Sequence, residues 1–166
     1  MKRLLVLLLG VAVVGTAVSV AASGGDQRKV LRFDTMAPVT EPYTGAANAI
    51  RGVPGGGLPW MLDQAKGELR GDSLKVEVEG LVLARRAPVP PALQGTNPIA
   101  SFKAIVSCLS SSGGAPTTVN VATDPVPASA TGDAEIEATV ALPSPCFAPI
   151  VFVTSGGGSW FAATGR

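Results

Sequence analysis

Two groups of carboxylates have the spacing most suited to chemistry in this 166-residue chain. Glu77 and Glu79 alternate with apolar residues in one stretch, and Asp133, Glu135 and Glu137 do so in another. Such alternation places each group on one face of a β-strand. Neighbouring carboxylates can bind calcium, or supply the pair that a glycosidase uses. The apolar partners between them are equally typical of a solvated sheet face, and we predict the solvated face.

The chain contains no histidine, and this absence removes whole classes of catalysis. Without it the chain cannot form Ser-His-Asp or Cys-His catalytic sites or bind zinc or copper through histidine. It also lacks the commonest general base near neutral pH. The stretch VPGGGLPW has the glycines of a phosphate loop but lacks its lysine, and no G-x-S-x-G elbow occurs. We therefore expect no enzymatic activity, no cofactor and no metal. The alternative is a secreted carbohydrate-active hydrolase that uses a carboxylate pair.

Residues 1–22 have the organisation of a signal peptide. Lys2 and Arg3 precede an apolar run from Leu4 to Val18, and Val20-Ala21-Ala22 offers a small-residue cleavage site. We expect export and release to a secreted, extracellular location. The alternative is an uncleaved membrane segment, because the uncharged stretch is just long enough to span a bilayer.

The expected extracellular location bears on the state of the two cysteines, Cys108 and Cys146. An exported chain with an even number of cysteines most simply pairs them. A zinc site lacks support because the chain has neither a C-x-x-C motif nor a histidine, and a reactive thiol is the other alternative. We predict a structural disulfide between Cys108 and Cys146. Closing a loop of this length would remove about 4 kcal/mol of chain entropy from the unfolded state.

Cleavage after residue 22 would leave about 144 residues, with 11 basic side chains against 12 acidic ones. That length suffices for one domain with a sizeable core. A near-neutral chain without a basic patch argues against binding to nucleic acid and to anionic membranes. We identify no specific partner from the sequence, and we consider a glycan or a protein as the ligand.

Strand patterns dominate the chain after residue 29. We predict strands at 30–35, 60–70, 74–83, 101–109, 117–123, 133–142, 150–154 and 159–164. Proline and glycine fill the connections, and 37–57 is a long irregular segment. These features predict an all-β fold, an antiparallel β-sandwich of about 7–8 strands with one disulfide. It can be immunoglobulin-like in architecture only, because no tryptophan lies between the two cysteines.

We expect an exposed lead-in at 23–29 and a single domain over 30–166. The run 150–154 should be a central strand, since it is apolar on both faces. In the strand predicted at 101–109, Phe102, Ala104, Val106 and Cys108 fall on one face. The thiol should therefore point into the core.

Two glycine triplets beside tryptophans give the strongest candidate for a binding surface. Gly55-Gly56-Gly57 precedes Trp60, and Gly156-Gly157-Gly158 precedes Trp160. Glycine runs lose much entropy on ordering, which is offset where the backbone must approach something closely. Together with Tyr43, the two indoles could form a platform on which a sugar stacks, and we predict ligand binding by Gly55, Gly56, Gly57, Trp60 and Trp160. The alternative is a loop folded back over the sandwich, with Trp60 buried as its anchor.

The tetrapeptide RGDS, 70–73, contains the tripeptide that integrins bind in adhesion proteins. It also lies between two predicted strands, where a hairpin turn needs glycine and aspartate. We predict a turn rather than an adhesion ligand.

Five blocks resemble a family of secreted bacterial proteins of unknown function: LRFDTMAPV, AIRGVPGGGLPW, SFKAIVSCLSS, DAEIEATVALPSPCFAPIVFVTS and SWFAATG. The resemblance covers most of the chain after the signal peptide. It implies a shared exported domain that contains the two cysteines. It implies no activity, cofactor or catalytic residue.

Overall fold

The structure, a computed structural model, describes residues 29–165 as an all-β fold with two main antiparallel sheets. The predicted signal peptide and all of the lead-in except Lys29 lie outside these residues. The strands are β1 (Lys29–Phe33), β2 (Ala37–Pro38), β3 (Trp60–Met61), β4 (Gln64–Arg70), β5 (Ser73–Glu79), β6 (Val82–Leu83), β7 (Ser101–Ser112), β8 (Ala115–Ala122), β9 (Val126–Pro127), β10 (Ala134–Thr139), β11 (Phe147–Ser155) and β12 (Trp160–Ala163). A short 3-10 helix, Pro91–Leu93, lies between β6 and β7. Over the described residues no helix is long and apolar enough to cross a membrane.

The first sheet has the strand order β1-β4-β5-β10, and each pairing in it is antiparallel. Along β5, Leu74, Val76 and Val78 are buried, while Lys75 between them is exposed. This confirms the predicted alternation. One face of the sheet therefore supplies the core, and the other faces solvent.

The tetrapeptide RGDS forms the hairpin turn between β4 and β5. Arg70 pairs with Ser73, so Gly71 and Asp72 are the two central turn residues. Gly71 has a φ of +58°, a left-handed conformation that glycine adopts without a Cβ clash. The predicted turn is confirmed, and its glycine has a conformational reason to be there.

The second sheet has the strand order β2-β12-β11-β7-β8, and β9 pairs with the first residues of β7. β11 lies in the middle of this order, which confirms the prediction of a central strand. The long β7 pairs with β11 on one side and with β8 on the other. Strands β3 and β6 form a separate two-stranded sheet.

One hydrophobic core joins the inward faces of the two main sheets. At one part of it the ring of Trp60 stacks on Phe161 with centroids 4.0 Å apart, and Phe102 meets both rings edge-on at 6.3 and 5.8 Å. Such aromatic pairs stabilise a core by about 0.5–1.5 kcal/mol each beyond the area they bury. Aromatic packing thus holds β3 of the two-stranded sheet against β7 and β12 of the second main sheet.

The disulfide between Cys108 and Cys146 is present, with its two Cα atoms 5.0 Å apart. Cys108 lies on the inward face of β7 and is fully buried, as predicted. Cys146 ends the connection that leaves β10 in the first sheet and enters β11 in the second. The bond therefore fastens this crossover to the strand that it must lie beside.

Two predicted strands are each divided in the structure. The segment predicted at 60–70 is split into β3 and β4, and the segment at 74–83 is split into β5 and β6. The second break falls at Gly80, whose φ of +67° interrupts the extended conformation of the strand. The short strands β2 and β9 lie in predicted connections, because two residues are too few to show alternation.

We expect that replacing both cysteines by alanine lowers the free energy of unfolding by about 2–5 kcal/mol. The reason is that the bond closes a long loop, with a sequence separation of 38 positions. Urea unfolding of the oxidised protein and of the Cys108→Ala/Cys146→Ala variant measures the difference. Equal midpoints for the two proteins would contradict the prediction.

Candidate functional site

The glycine triplet before Trp60 contacts the protein's own residues. A Cβ placed on Gly55 would overlap the carbonyl oxygen of Tyr43, and one on Gly56 would lie 2.9 Å from Cδ1 of Phe161. A Cβ on Gly57 would meet open space. The close approach that the sequence predicted is real, but the surfaces approached are a backbone carbonyl and a core ring.

Residues 40–57, named the strap, run along the edge of β12, where Gly55 bridges Trp160, and reach β7, where the Arg51 side chain donates to the carbonyl of Ser107 at 2.9 Å. At the tip, Ile50 and Val53 exchange two backbone hydrogen bonds around Arg51 and Gly52. Both central residues have positive φ, 50° and 80°, as in a type I′ turn. The side chain of Asn120 on β8 donates to the carbonyl of Arg51 at 3.0 Å, which fixes the tip against the sheet.

Trp160 lies beside the strap, and its side chain is on the face of the second sheet opposite to that of Phe161. Its register partner is Thr154, and its ring centroid is 6.0 Å from that of Phe152. The backbone N–H of Trp160 donates to Pro54, and its carbonyl accepts from Gly56. Its indole Nε1, like the hydroxyl of the buried Ser107, has no hydrogen-bond partner among the described residues.

The two tryptophans are therefore buried, with exposed fractions of 4% for Trp60 and 3% for Trp160. The expectation of an exposed aromatic platform is corrected on this point, because each ring is covered by other elements. The alternative, a loop folded back with Trp60 as its buried anchor, describes the structure. Of the three aromatic residues only Tyr43 is exposed, at 46%. Ligand binding by the glycine triplet stays a prediction.

Three of the five predicted carboxylates, Glu77, Glu135 and Glu137, are paired with lysines on the outer face of the first sheet. Lys75 Nζ lies 2.6 Å from a carboxylate oxygen of Glu135 and 2.6 Å from one of Glu137, and Lys66 Nζ lies 3.0 Å from Glu77. The hydrogen bond from Lys75 lowers the pKa of Glu135, and the two carboxylates raise the pKa of Lys75. The arrangement is that of a solvated, charge-paired sheet face.

Asp133 differs from the other acidic residues because it organises a loop. One carboxylate oxygen accepts hydrogen bonds from the hydroxyls of Thr131 at 2.6 Å and Ser129 at 2.9 Å, and the other accepts from the N–H of Gly80 at 2.9 Å. The bond from Thr131, then those from Gly80 and Ser129, lower the pKa of Asp133. The side chain fixes the turn before β10 to the end of β5.

The carboxylates do not converge beside either tryptophan. They occupy the outer face of the first sheet, whereas Trp60 lies in the core and Trp160 lies on the far side of the second sheet. Within residues 29–165 no cluster of three or more His, Cys, Asp or Glu could hold a metal ion. A hydrolase needs two carboxylates flanking one bond, whereas Glu77, Glu135 and Glu137 are each held in an ion pair with a lysine.

Strand β8 presents an open edge, since no strand in the described part of the chain pairs with its outer side. The N–H of Thr123 donates to the carbonyl of Ala104 at 2.9 Å, which sets the phase of the β7–β8 ladder. Bonded residues alternate along an antiparallel pair. The backbone N–H and C=O groups of Thr118, Asn120 and Ala122 therefore point away from β7, toward solvent.

The β8 edge is also uncharged along its eight residues, APTTVNVA. The edges of the first sheet carry charges, with Arg32 on β1 and Glu135 and Glu137 on β10. The remaining edge strand, β2, has two residues, one of which is a proline. Charged or short edges oppose pairing with other chains, and β8 has neither protection.

Two exposed apolar side chains lie next to this edge and were not singled out by the sequence patterns. Leu109 and Phe147, exposed at 42% and 63%, are direct partners across β7 and β11. Leu109 also pairs with Thr118 on β8. The alternation around Cys108 implied an outward Leu109, but Phe147 belonged to a predicted connection. An apolar row thus leads from Phe147 to the open edge.

Comparisons of the chain with protein-family models, with curated proteins and with solved structures find no match. The resemblance to secreted bacterial proteins stays a prediction.

The two glycines of the strap provide a matched pair of substitutions. We expect Gly55→Ala to lower the free energy of unfolding by about 1–3 kcal/mol or more, because its methyl group overlaps the carbonyl of Tyr43. Gly57→Ala, which meets open space, should change it by less than about 0.5 kcal/mol. Thermal and urea unfolding distinguish the two. Similar effects at both positions would show that the strap does not approach the sheet so closely.

Asp133 should contribute to the pH dependence of stability. Its pKa is lowered in the folded state, so its stabilisation is present above the unfolded value of about 3.9 and is lost as the pH falls below it. We expect Asp133→Asn to lower stability at neutral pH and to match the wild type progressively in acid. Urea unfolding from neutral pH downward measures this, with Asp124→Asn as a control for charge removal. A difference that stays constant with pH would be the contrary result.

Proposed function

We propose that this chain is an exported, non-enzymatic β-sandwich of immunoglobulin-like architecture that binds an extended protein segment at or outside the cell envelope. The binding surface is the open edge of β8, and the bound segment adds a strand to the second sheet. The observation that carries the proposal is the uncharged eight-residue edge with outward backbone groups at Thr118, Asn120 and Ala122. Main-chain hydrogen bonds supply affinity in this mode of recognition.

Further observations support three individual parts of the proposal. Export is supported by the signal-peptide pattern over 1–22 and agrees with a disulfide bond. The sandwich is supported by a single core that both sheets share. The non-enzymatic role is supported by carboxylates that are paired with lysines on an exposed face, at distances of 2.6 to 3.0 Å.

The groups that the structure exposes, backbone donors and acceptors rather than indole rings, favour a protein ligand over a glycan. Sugar binding in water uses exposed aromatic rings, and both indoles are buried. The β8 edge offers backbone donors and acceptors at the spacing of a β-strand instead. The apolar row through Leu109 and Phe147 gives side chains of a bound segment a surface to pack on.

Panning a library of displayed random peptides against the oxidised protein, immobilised at low density, tests the proposal. We expect enriched peptides of alternating apolar pattern whose capture is lost in Thr118→Pro. That substitution removes an outward N–H and leaves the ladder to β7 intact, as Pro116 already does at an equivalent position. Thr118→Val keeps the N–H and should still capture them.

Failure to enrich any peptide would overturn the strand-addition role. Equal capture by the wild type and Thr118→Pro would place the binding surface elsewhere and would overturn it as well. Circular dichroism and the intact disulfide verify that both variants are folded.

A further inference from the structure

The segment 117–123 on β8 is nearly a palindrome, T-T-V-N-V-A-T. Around Asn120, Val119 mirrors Val121 and Thr117 mirrors Thr123. Two copies of such a strand that run antiparallel place like residues opposite each other. We infer that the strand bound at the β8 edge is β8 of a second copy of this chain, an inference that rests on the proposed function.

The phase of the edge determines the register of this pairing. Residues that exchange hydrogen bonds across an antiparallel pair must both point outward. With a two-fold axis at Asn120, that residue pairs with the second copy's Asn120, and Thr118 pairs with the second copy's Ala122. Each of these pairs exchanges two backbone bonds, and Pro116, which has no N–H, lies outside the bonded set.

The side chains agree with the same register. Val119 and Val121 lie on the inward face of β8 and are only half-buried in one copy. In the pair, Val119 faces the second copy's Val121, and cross-strand apolar pairs of this kind stabilise a sheet. No charged residue lies in β8, so identical strands meet without repulsion.

The charged edges of the first sheet do not allow the same self-association. A two-fold pair of β10 would bring Glu135 and Glu137 of both copies together, and like charges that face each other across strands are destabilising. A preformed strand is also favoured over a disordered peptide. Because β8 is already ordered against β7, little conformational entropy is lost on pairing.

The pairing closes at two copies. Each chain has one β8 edge, and a two-fold axis uses the same surface on both subunits, so no free β8 edge remains. The second sheet then runs without interruption from β2 of one copy to β2 of the other. The assembly is therefore a dimer rather than an open filament.

Analytical ultracentrifugation of the oxidised protein from nanomolar to millimolar concentrations tests the inference. We expect a monomer–dimer equilibrium that Thr118→Pro shifts toward monomer by at least about tenfold in Kd, since it removes two of the backbone donors in each dimer. Thr118→Val should dimerise like the wild type. A protein that is monomeric throughout would overturn the inference, and if it still captures displayed peptides the proposed function stands without it.

Paired charge variants test the register. Val119→Lys and Val121→Glu should each weaken dimerisation alone and restore it when mixed, because positions 119 and 121 face each other. A mixture of Val119→Lys with Val119→Glu places its charges apart and should not restore it. Restoration by the second mixture, or by neither, would overturn the register.

A cross-link provides a readout that does not depend on folding of the charge variants. Asn120→Cys lies on the proposed axis, where paired Cα atoms are about 5.5 Å apart, a distance that suits a disulfide. We expect oxidation to yield a covalent dimer of Asn120→Cys and little from Thr118→Cys. Equal yields from the two variants would contradict the two-fold axis.

Discussion

The fold depends on the pairing of β7 along both of its sides. β11 binds one side of this twelve-residue strand, and β8 and β9 divide the other. Its inward face supplies Phe102 to the aromatic cluster and Cys108 to the disulfide. Because the crossover from β10 is bonded to this same strand, the position of the first sheet over the second is determined at β7.

The outer faces of the two sheets meet solvent in different ways. The first sheet carries rows in which acidic and basic side chains neutralise one another, so its polar face needs no cover. The outer face of the second sheet bears Phe152 and Trp160, both of which are buried, and two backbone hydrogen bonds join Trp160 to the strap. At Leu109 and Phe147, by contrast, apolar surface stays exposed.

The alternation of apolar and polar residues within a strand predicted which of its side chains point into the core. Leu74, Val76 and Val78 alternate over a full strand, and a half-buried sheet leaves one choice of inward face. The burial of Trp160 could not be predicted this way, because its cover comes from the strap more than a hundred positions earlier in the chain. The open edge of β8 depends on strand order, which alternation within one strand does not encode. The same holds for Phe147, whose place beside Leu109 is a long-range pairing.

The strap divides the molecule into two regions of different local stability. Its closure leaves Ser107 Oγ and Trp160 Nε1 without partners among the described residues, and each such burial costs about 1–3 kcal/mol. Opening the strap returns both groups to water and breaks few backbone bonds, so local opening needs less free energy than global unfolding. In hydrogen exchange the amide of Gly56, which donates to the carbonyl of Trp160, would therefore exchange well before those of β7, and slow amides in the two main sheets would persist beneath a strap that repeatedly opens and closes.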